Sequence, residues 1–232
     1  MPSFKPLALL SAICLLLFPS LLMAEQNRPV NERDYRVEVV IFSQIPGAGV
    51  TEGMGTVRYF EPVSEPAQLL GSGAAWQRLG FSPLALIQPQ PTRLNREVEA
   101  LTRSSDYEVL FHQAWIMPIV AEDRSPLLLL EGGRYFDLLP ELQGSLRLSV
   151  ARYLHIETDL SLSVFEPVSD PSVIVPPLYS SLDLDEPQPD LQPSYQAIGA
   201  HHLQQRRRMR SGELHYLDTP YLGLLIRIDR TE

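Results

Sequence analysis

SLRLSVARYLHIETDLSLSV, residues Ser145 to Val164, decides how the rest of the chain is read. Leu146, Leu148, Val150, Leu154, Ile156, Leu160, Leu162 and Val164 all take even numbers. The odd positions, among them Arg147, Ser149, Tyr153, His155, Glu157, Asp159 and Ser161, are mostly polar. Side chains alternate across a strand, so this is a strand with one buried face, or two such strands end to end. The three-and-four spacing of a helix is absent. Only Arg152 and Thr158 interrupt the even face, and a bend or bulge at Arg152 and Tyr153 would let one sheet use both halves. The odd face, with Tyr153, His155, Glu157 and Asp159, is the first place to look for a binding surface.

Most of the remaining chain reads as cover for that strand. Upstream, Tyr35 to Ser43 alternates and is rich in Val and Ile, which predicts a central strand ended by the glycines of Gly47 to Gly55. A short helix is expected over Glu65 to Leu79, near an apolar patch of Trp76, Leu79 and Phe81. Leu94, Val98 and Leu101 with Pro91 in the first turn predict a better helix over Pro91 to Arg103. Asp106 to Ile119 reads as the next strand, and the connection before it is long enough for a crossover. Leu127 to Leu130 reads as a short strand with a turn at Gly132 and Gly133.

Downstream, seven prolines lie between Phe165 and Gln196, with Asp183, Asp185, Glu186 and Asp190 among them. Such density forbids a central strand or helix and predicts a surface loop over about residues 166–196. His202 to Leu217 and Leu222 to Asp229 then read as a hairpin, with Asp218, Thr219 and Pro220 as its turn. The fold class expected is α+β: a mixed or mainly antiparallel sheet of about five or six strands, with two or three helices packed on one face.

Composition bounds the function. The 232 residues are 44% hydrophobic and 20% charged, which suits one sizeable domain, residues 25–232. A net charge of -9 gives no general attraction to nucleic acid. Residues 1–24 carry Lys5, an apolar run from Leu7 to Met23 and Ala24 before Glu25, the pattern of a cleaved secretory signal. The reading is therefore an exported chain with no stable membrane insertion after cleavage. Cys14, the single cysteine, lies inside that signal, so the mature chain has no disulfide, thiol nucleophile or Cys metal ligand.

Enzyme signatures are scarce. There is no Gly-x-Ser-x-Gly elbow, phosphate-cradling Gly-Lys-Ser loop or His-Glu-x-x-His zinc helix. Glu157 and Asp159 stand about 6.6 Å apart along a strand, a spacing that two-carboxylate glycoside hydrolysis permits, although alternating polar residues also mark any solvated strand. His201, His202 and His215 lack a strong partner ligand nearby in sequence, and no metal or cofactor is expected. The densest charge feature is Arg206, Arg207, Arg208 and Arg210 around Met209. It reads either as a protected edge strand or as an anion site, because the guanidinium fork matches carboxylate and phosphate. Tyr153, Trp115 and Tyr216 could offer flat faces to sugar rings or belong to the core.

Three blocks together resemble one family. They are Asp106 to Trp115, Gly144 to Leu160 around Ala151-Arg152-Tyr153-Leu154-His155, and Arg207-Arg208-Met209-Arg210-Ser211-Gly212-Glu213-Leu214-His215-Tyr216-Leu217-Asp218 with Pro220 and Gly223. With Val37 to Phe42, they resemble the CsiV family of periplasmic proteins of Gram-negative bacteria across nearly the whole mature chain. Departures are Ile116-Met117, where a more polar pair is expected, and Thr219, where His is common. The resemblance implies a non-enzymatic peptidoglycan-binding protein in the periplasm. It also implies support of a class A penicillin-binding protein and its outer-membrane lipoprotein activator. The candidate ligand surface is Arg152, Tyr153 and His155 on one ribbon and Arg207, Arg208, Arg210, Glu213, His215 and Tyr216 on its expected neighbour. The rival readings are a wall-cleaving glycosidase using Glu157, Asp159 or Glu213, and a pure protein adaptor.

Overall fold

A computed structural model of the chain describes residues 33–47, 53–58, 66–72, 85–137, 139–168 and 194–231. The expected signal sequence, the Trp76–Phe81 patch and most of the proline-rich loop lie outside the described residues. The elements described belong to the unit Arg33–Glu232.

Among the described residues, ten strands form two sheets. The first has four strands in the order β4 (Tyr107–Pro118), β1 (Asp34–Gln44), β10 (Leu222–Arg230), β9 (Leu214–Asp218), all antiparallel. The second has six, in the order β3 (Ala85–Leu86), β2 (Ala67–Leu69), β5 (Leu127–Phe136), β6 (Leu139–Val150), β7 (Leu154–Pro167), β8 (Tyr195–Met209). One apolar core joins them: Val37, Val39, Ile41, Trp115, Leu224 and Ile226 from the first sheet meet Leu128, Leu146, Ile156, Leu160 and Leu203 from the second. Each of these side chains is fully or almost fully removed from water, which favours the folded state by about 25 cal/mol per Å² of apolar area.

This corrects the α+β expectation. The architecture is mainly β in two layers, and among the described residues there is a single α-helix, α1 (Asn95–Arg103), with one 3₁₀ turn at Glu122–Arg124. The segment expected as a helix from Glu65 contains β2 where it is described. β1 and β4 are antiparallel neighbours, so the chain between them is no parallel crossover. Gly132 and Gly133 lie inside β5 rather than in a turn after it. A Cβ on Gly132 would strike the Leu110 carbonyl, so strand β4 passes too close for any side chain there.

The organising stretch is two strands folded back on one another. β6 and β7 pair antiparallel with Leu148 opposite Ile156 and Val150 opposite Leu154. The connection, residues 151–153, is three residues long, so even numbers face even numbers and the apolar row continues unbroken through the reversal. Thr158, the other even exception, is buried because it repairs the ladder: its hydroxyl donates to the Leu203 carbonyl at 3.0 Å and accepts from the Gln205 amide at 3.0 Å.

The run His202 to Leu217 does not form one arm of a hairpin. It breaks at Ser211 and Gly212, where Gly212 takes the left-handed backbone (φ 85°) that favours glycine. β8 therefore stays with β7, while β9 crosses to pair with β10 in the other sheet. The β9–β10 turn closes where expected, with the Thr219 amide donating to the Leu222 carbonyl at 2.8 Å.

Helix α1 lies on the outward face of the four-stranded sheet. Leu94, Val98 and Leu101 pack against Val40, Phe42, Val109 and Leu225. Its start carries no side-chain cap of its own. Glu38 supplies one from β1: its carboxylate accepts from the amides of Arg93 and Leu94 at 2.8 Å and lies 2.9 Å from His112 Nε2. Burial would raise its pKa, but these hydrogen bonds outweigh burial and hold it below the usual carboxylate range.

Candidate functional site

The outward face of the six-stranded sheet is laid out by register. Across β6, β7 and β8 the rows read Ser149–His155–Arg208 and Arg147–Glu157–Arg206, with Asp159 opposite Gln204 beyond them. The second row is internally neutralised. Arg206 Nη1 lies 2.8 Å from Glu157 Oε1, its Nη2 lies 2.6 Å from Glu122 Oε2, and Arg147 Nε lies 3.9 Å from Glu157 Oε2. The guanidinium of Arg206, by hydrogen bond and charge, holds the Glu122 carboxyl below its ordinary range, and Glu122 and Glu157 in turn raise Arg206. Asp159 accepts from Arg58 and, at 3.1 Å, from Gln204.

The arginines beyond that row differ. Arg208 Cζ stands 4.5 Å over the ring of Tyr153, and Arg152 Cζ stands 5.5 Å from the same ring. Both cation–π contacts leave the guanidinium edges open to solvent. Among the described residues, Arg152, Arg208 and Arg230 make no ion pair. Arg210 has only a loose exposed one, 3.6 Å to Glu213.

These side chains meet at one end of the sandwich. There the row Val150–Leu154–Met209 of one sheet and the pair Tyr35–Arg230 of the other reach their last register positions. Between them is a cleft of about 510 Å³, lined by Arg152, Tyr153, Arg210 and Arg230 over an apolar floor of Val150, Leu154 and Met209. The cleft contains no carboxylate or carboxamide side chain. Forked donors around an apolar floor can hold an anion with a hydrocarbon body.

The structure divides the sequence candidates. Arg152, Tyr153 and Arg210 line the cleft, with Arg208 on the Tyr153 ring and His155 opposite Arg208. His215 lies in the same corner but is turned into the β8–β9 turn, its Nε2 3.2 Å from the Arg210 amide. Glu213 sits in that turn, 3.9 Å from His215 Nε2.

Arg207 and Tyr216 go elsewhere. Arg207 sits opposite buried Ile156 and donates to the Tyr216 carbonyl on β9. Gln205 does the same to the Asp218 carbonyl at 2.7 Å, so two side chains bind β8 to β9. The Tyr216 ring stacks on Phe42 on the outward face of the other sheet, 6.2 Å between centroids. Burial, then the Asp218 carboxylate, raises the pKa of its hydroxyl. Trp115 is wholly buried in the core and offers no face to a sugar.

Arg230 is the residue sequence reasoning missed. A signal was present: it ends the even-numbered apolar row Leu222, Leu224, Ile226, Ile228 of β10. Arg152 likewise occupies an even position in the core row of β6 and β7. An arginine at the end of a buried row must emerge at the mouth of the sandwich.

Residues 7–231 match the family described as "Peptidoglycan-binding protein, CsiV". The chain belongs to the CsiV family. No curated protein matches it. Among solved structures, this CsiV chain is similar to the InvG secretin domain β-barrel from the Salmonella SPI-1 injectisome at 7% identity and a TM-score of 0.29. The alignment covers 87% of the CsiV chain and 64% of the secretin chain. Among the described residues of this CsiV protein, no helix is long and apolar enough to cross a membrane.

Proposed function

We propose that this protein binds peptidoglycan in the periplasm without cleaving it, and that the arginine-lined end cleft with the adjoining Tyr153–Arg208 face takes the polymer. The observation that carries the reading is a cleft of an acidic protein lined by Arg152 and Arg230, neither with a carboxylate partner among the described residues, and by loosely paired Arg210, with unpaired Arg208 beside it on the Tyr153 ring. Peptidoglycan offers carboxylates to such forks. The cleaving alternative is disfavoured by the carboxylates themselves. Glu157 is held by Arg206, Asp159 by Arg58 and Gln204, and neither lines the cleft. A general acid must be free to give up a proton to substrate.

The test is retention on purified sacculi. Wild type should sediment with sacculi and release no muropeptides, while Arg152→Gln/Arg208→Gln/Arg230→Gln should remain in the supernatant with an unchanged circular dichroism spectrum. Released muropeptides would replace this reading with the enzyme. Wild type left in the supernatant would replace it with a pure protein adaptor.

The partnership is part of the same proposal. We propose that the protein also supports a class A penicillin-binding protein and its lipoprotein activator. Its measure is polymer synthesis by that pair in vitro, which should rise when this protein is added. No change on addition would contradict it.

A further inference from the structure

We infer that the cleft recognises the free carboxylates of the peptidoglycan stem peptide rather than its sugar rings, an inference that rests on the peptidoglycan reading above. The first observation is the lining. Sugar hydroxyls are ordinarily met by a mixture of donors and acceptors, commonly Asp, Glu, Asn and Gln. The cleft has none of these side chains; beside Tyr35, Tyr153 and Ser211 it presents Arg152, Arg210 and Arg230. Guanidinium donates only, so its natural partner accepts only, and an ionised carboxylate does so at two oxygens in matching geometry.

The second observation concerns the aromatic face. A sugar that stacks needs an open ring. Tyr153 already carries Arg208 at 4.5 Å and is approached by Arg152 at 5.5 Å. A sugar would have to displace a cation to stack there. Left in place, the ring restrains the exposed Arg208 guanidinium, which lowers the ordering cost of a fork–fork contact. The third is the floor. Partly buried Val150, packed on the core residues Leu154 and Met209, suits a short aliphatic segment between stem carboxylates better than a hydroxylated ring.

The experiment is calorimetric titration of the full chain with a synthetic stem tetrapeptide bearing free carboxylates. In parallel run the same peptide with its carboxyls amidated, glycan strands freed of peptide, succinate, and intact sacculi by sedimentation. The free peptide should bind, and amidation should weaken it at least about tenfold. Arg152→Gln and Arg230→Gln should each weaken it about fivefold, and the bare glycan should not bind. Bare glycan bound as well as sacculi, or amidated peptide bound as well as the free one, overturns the inference and leaves peptidoglycan binding standing. Succinate bound as tightly as the stem peptide also overturns it, since the cleft would then select charge alone. Absence of wild type from sedimented sacculi sinks the underlying reading instead. The amidated-peptide comparison needs no variant, so folding of a mutant cannot obscure the answer.

Discussion

Strands β1 and β7 both sit inside their sheets, with a neighbour on each side, yet β1 is covered on both faces whereas the outward face of β7 is buried only from Ser161 to Ser163 and stays partly open from His155 to Asp159. Its inward residues Val37, Val39 and Ile41 fill the inter-sheet core, and its outward residues Glu38, Val40 and Phe42 lie under α1. β7 presents the same kind of inward row, but among the described residues no α-helix lies over His155, Glu157 and Asp159. The sequences differ accordingly. VEVVIF is apolar on both parities apart from one glutamate, whereas LHIETDL alternates. A strand apolar on both parities calls for a second layer, and an alternating strand leaves a face free for a ligand. The contrast also sorts buried from exposed charge. Glu38 is about 3% exposed and answered by amides; Arg152 and Arg208, on the Tyr153 ring, are exposed and have no carboxylate partner among the described residues.

Removing the buried charge should therefore have the largest effect on stability. Glu38→Ala strips the start of α1 of its acceptor and leaves His112 without its partner, and should lower unfolding free energy by about 3–5 kcal/mol in urea titration. A loss under about 1 kcal/mol would mean that helix and sheet do not depend on this contact.

Acid should act through the same group. Its pKa is depressed in the folded state, so its contribution is complete above the unfolded glutamate value of about 4.3 and is lost as pH falls through the lower folded value. The urea midpoint of wild type should drop between pH 5 and pH 3, and Glu38→Gln should drop less over that window. Equal drops would place the acid sensitivity elsewhere.

Smaller still, Arg207→Ala should cost about 1 kcal/mol, because it opens one of two side-chain ties between β8 and β9, and should leave sacculus retention intact. Retention lost with stability unchanged would return Arg207 to the binding surface. Least of all, Arg206→Ala should leave the thermal midpoint within error, since exposed ion pairs add little. A clear drop in that midpoint would mean that the charged row on β7 and β8 supports the sheet.

Much of the strand content could be read from parity, and parity also limits what could be read. A three-residue reversal keeps even positions facing even positions, so a straight strand and the β6–β7 hairpin leave the same alternating pattern. Sheet number was hidden for a related reason. Nothing in Leu222 to Asp229 or Leu146 to Leu162 says whether the two apolar rows share one sheet or face each other across a core. The helix at Asn95 was legible because Leu94, Val98 and Leu101 keep helical spacing. The fate of Arg207 and Tyr216 was not, because it depends on β9 crossing to the other sheet at Gly212. Arg152 and Tyr153 were found because they interrupt the alternation at an expected bend, and Arg208 and Arg210 because four arginines crowd into five residues. Arg230 escaped because only the tertiary fold brings its strand end to the 151–153 turn.

Assigned amide and arginine side-chain NMR signals, followed while soluble muropeptides are added, test the central claim most directly. Shifts should cluster at residues 150–154, 208–212 and 230, around the end cleft. Shifts centred on Phe42, Tyr107, Tyr216 and helix α1 would place the ligand on the opposite layer and contradict the account.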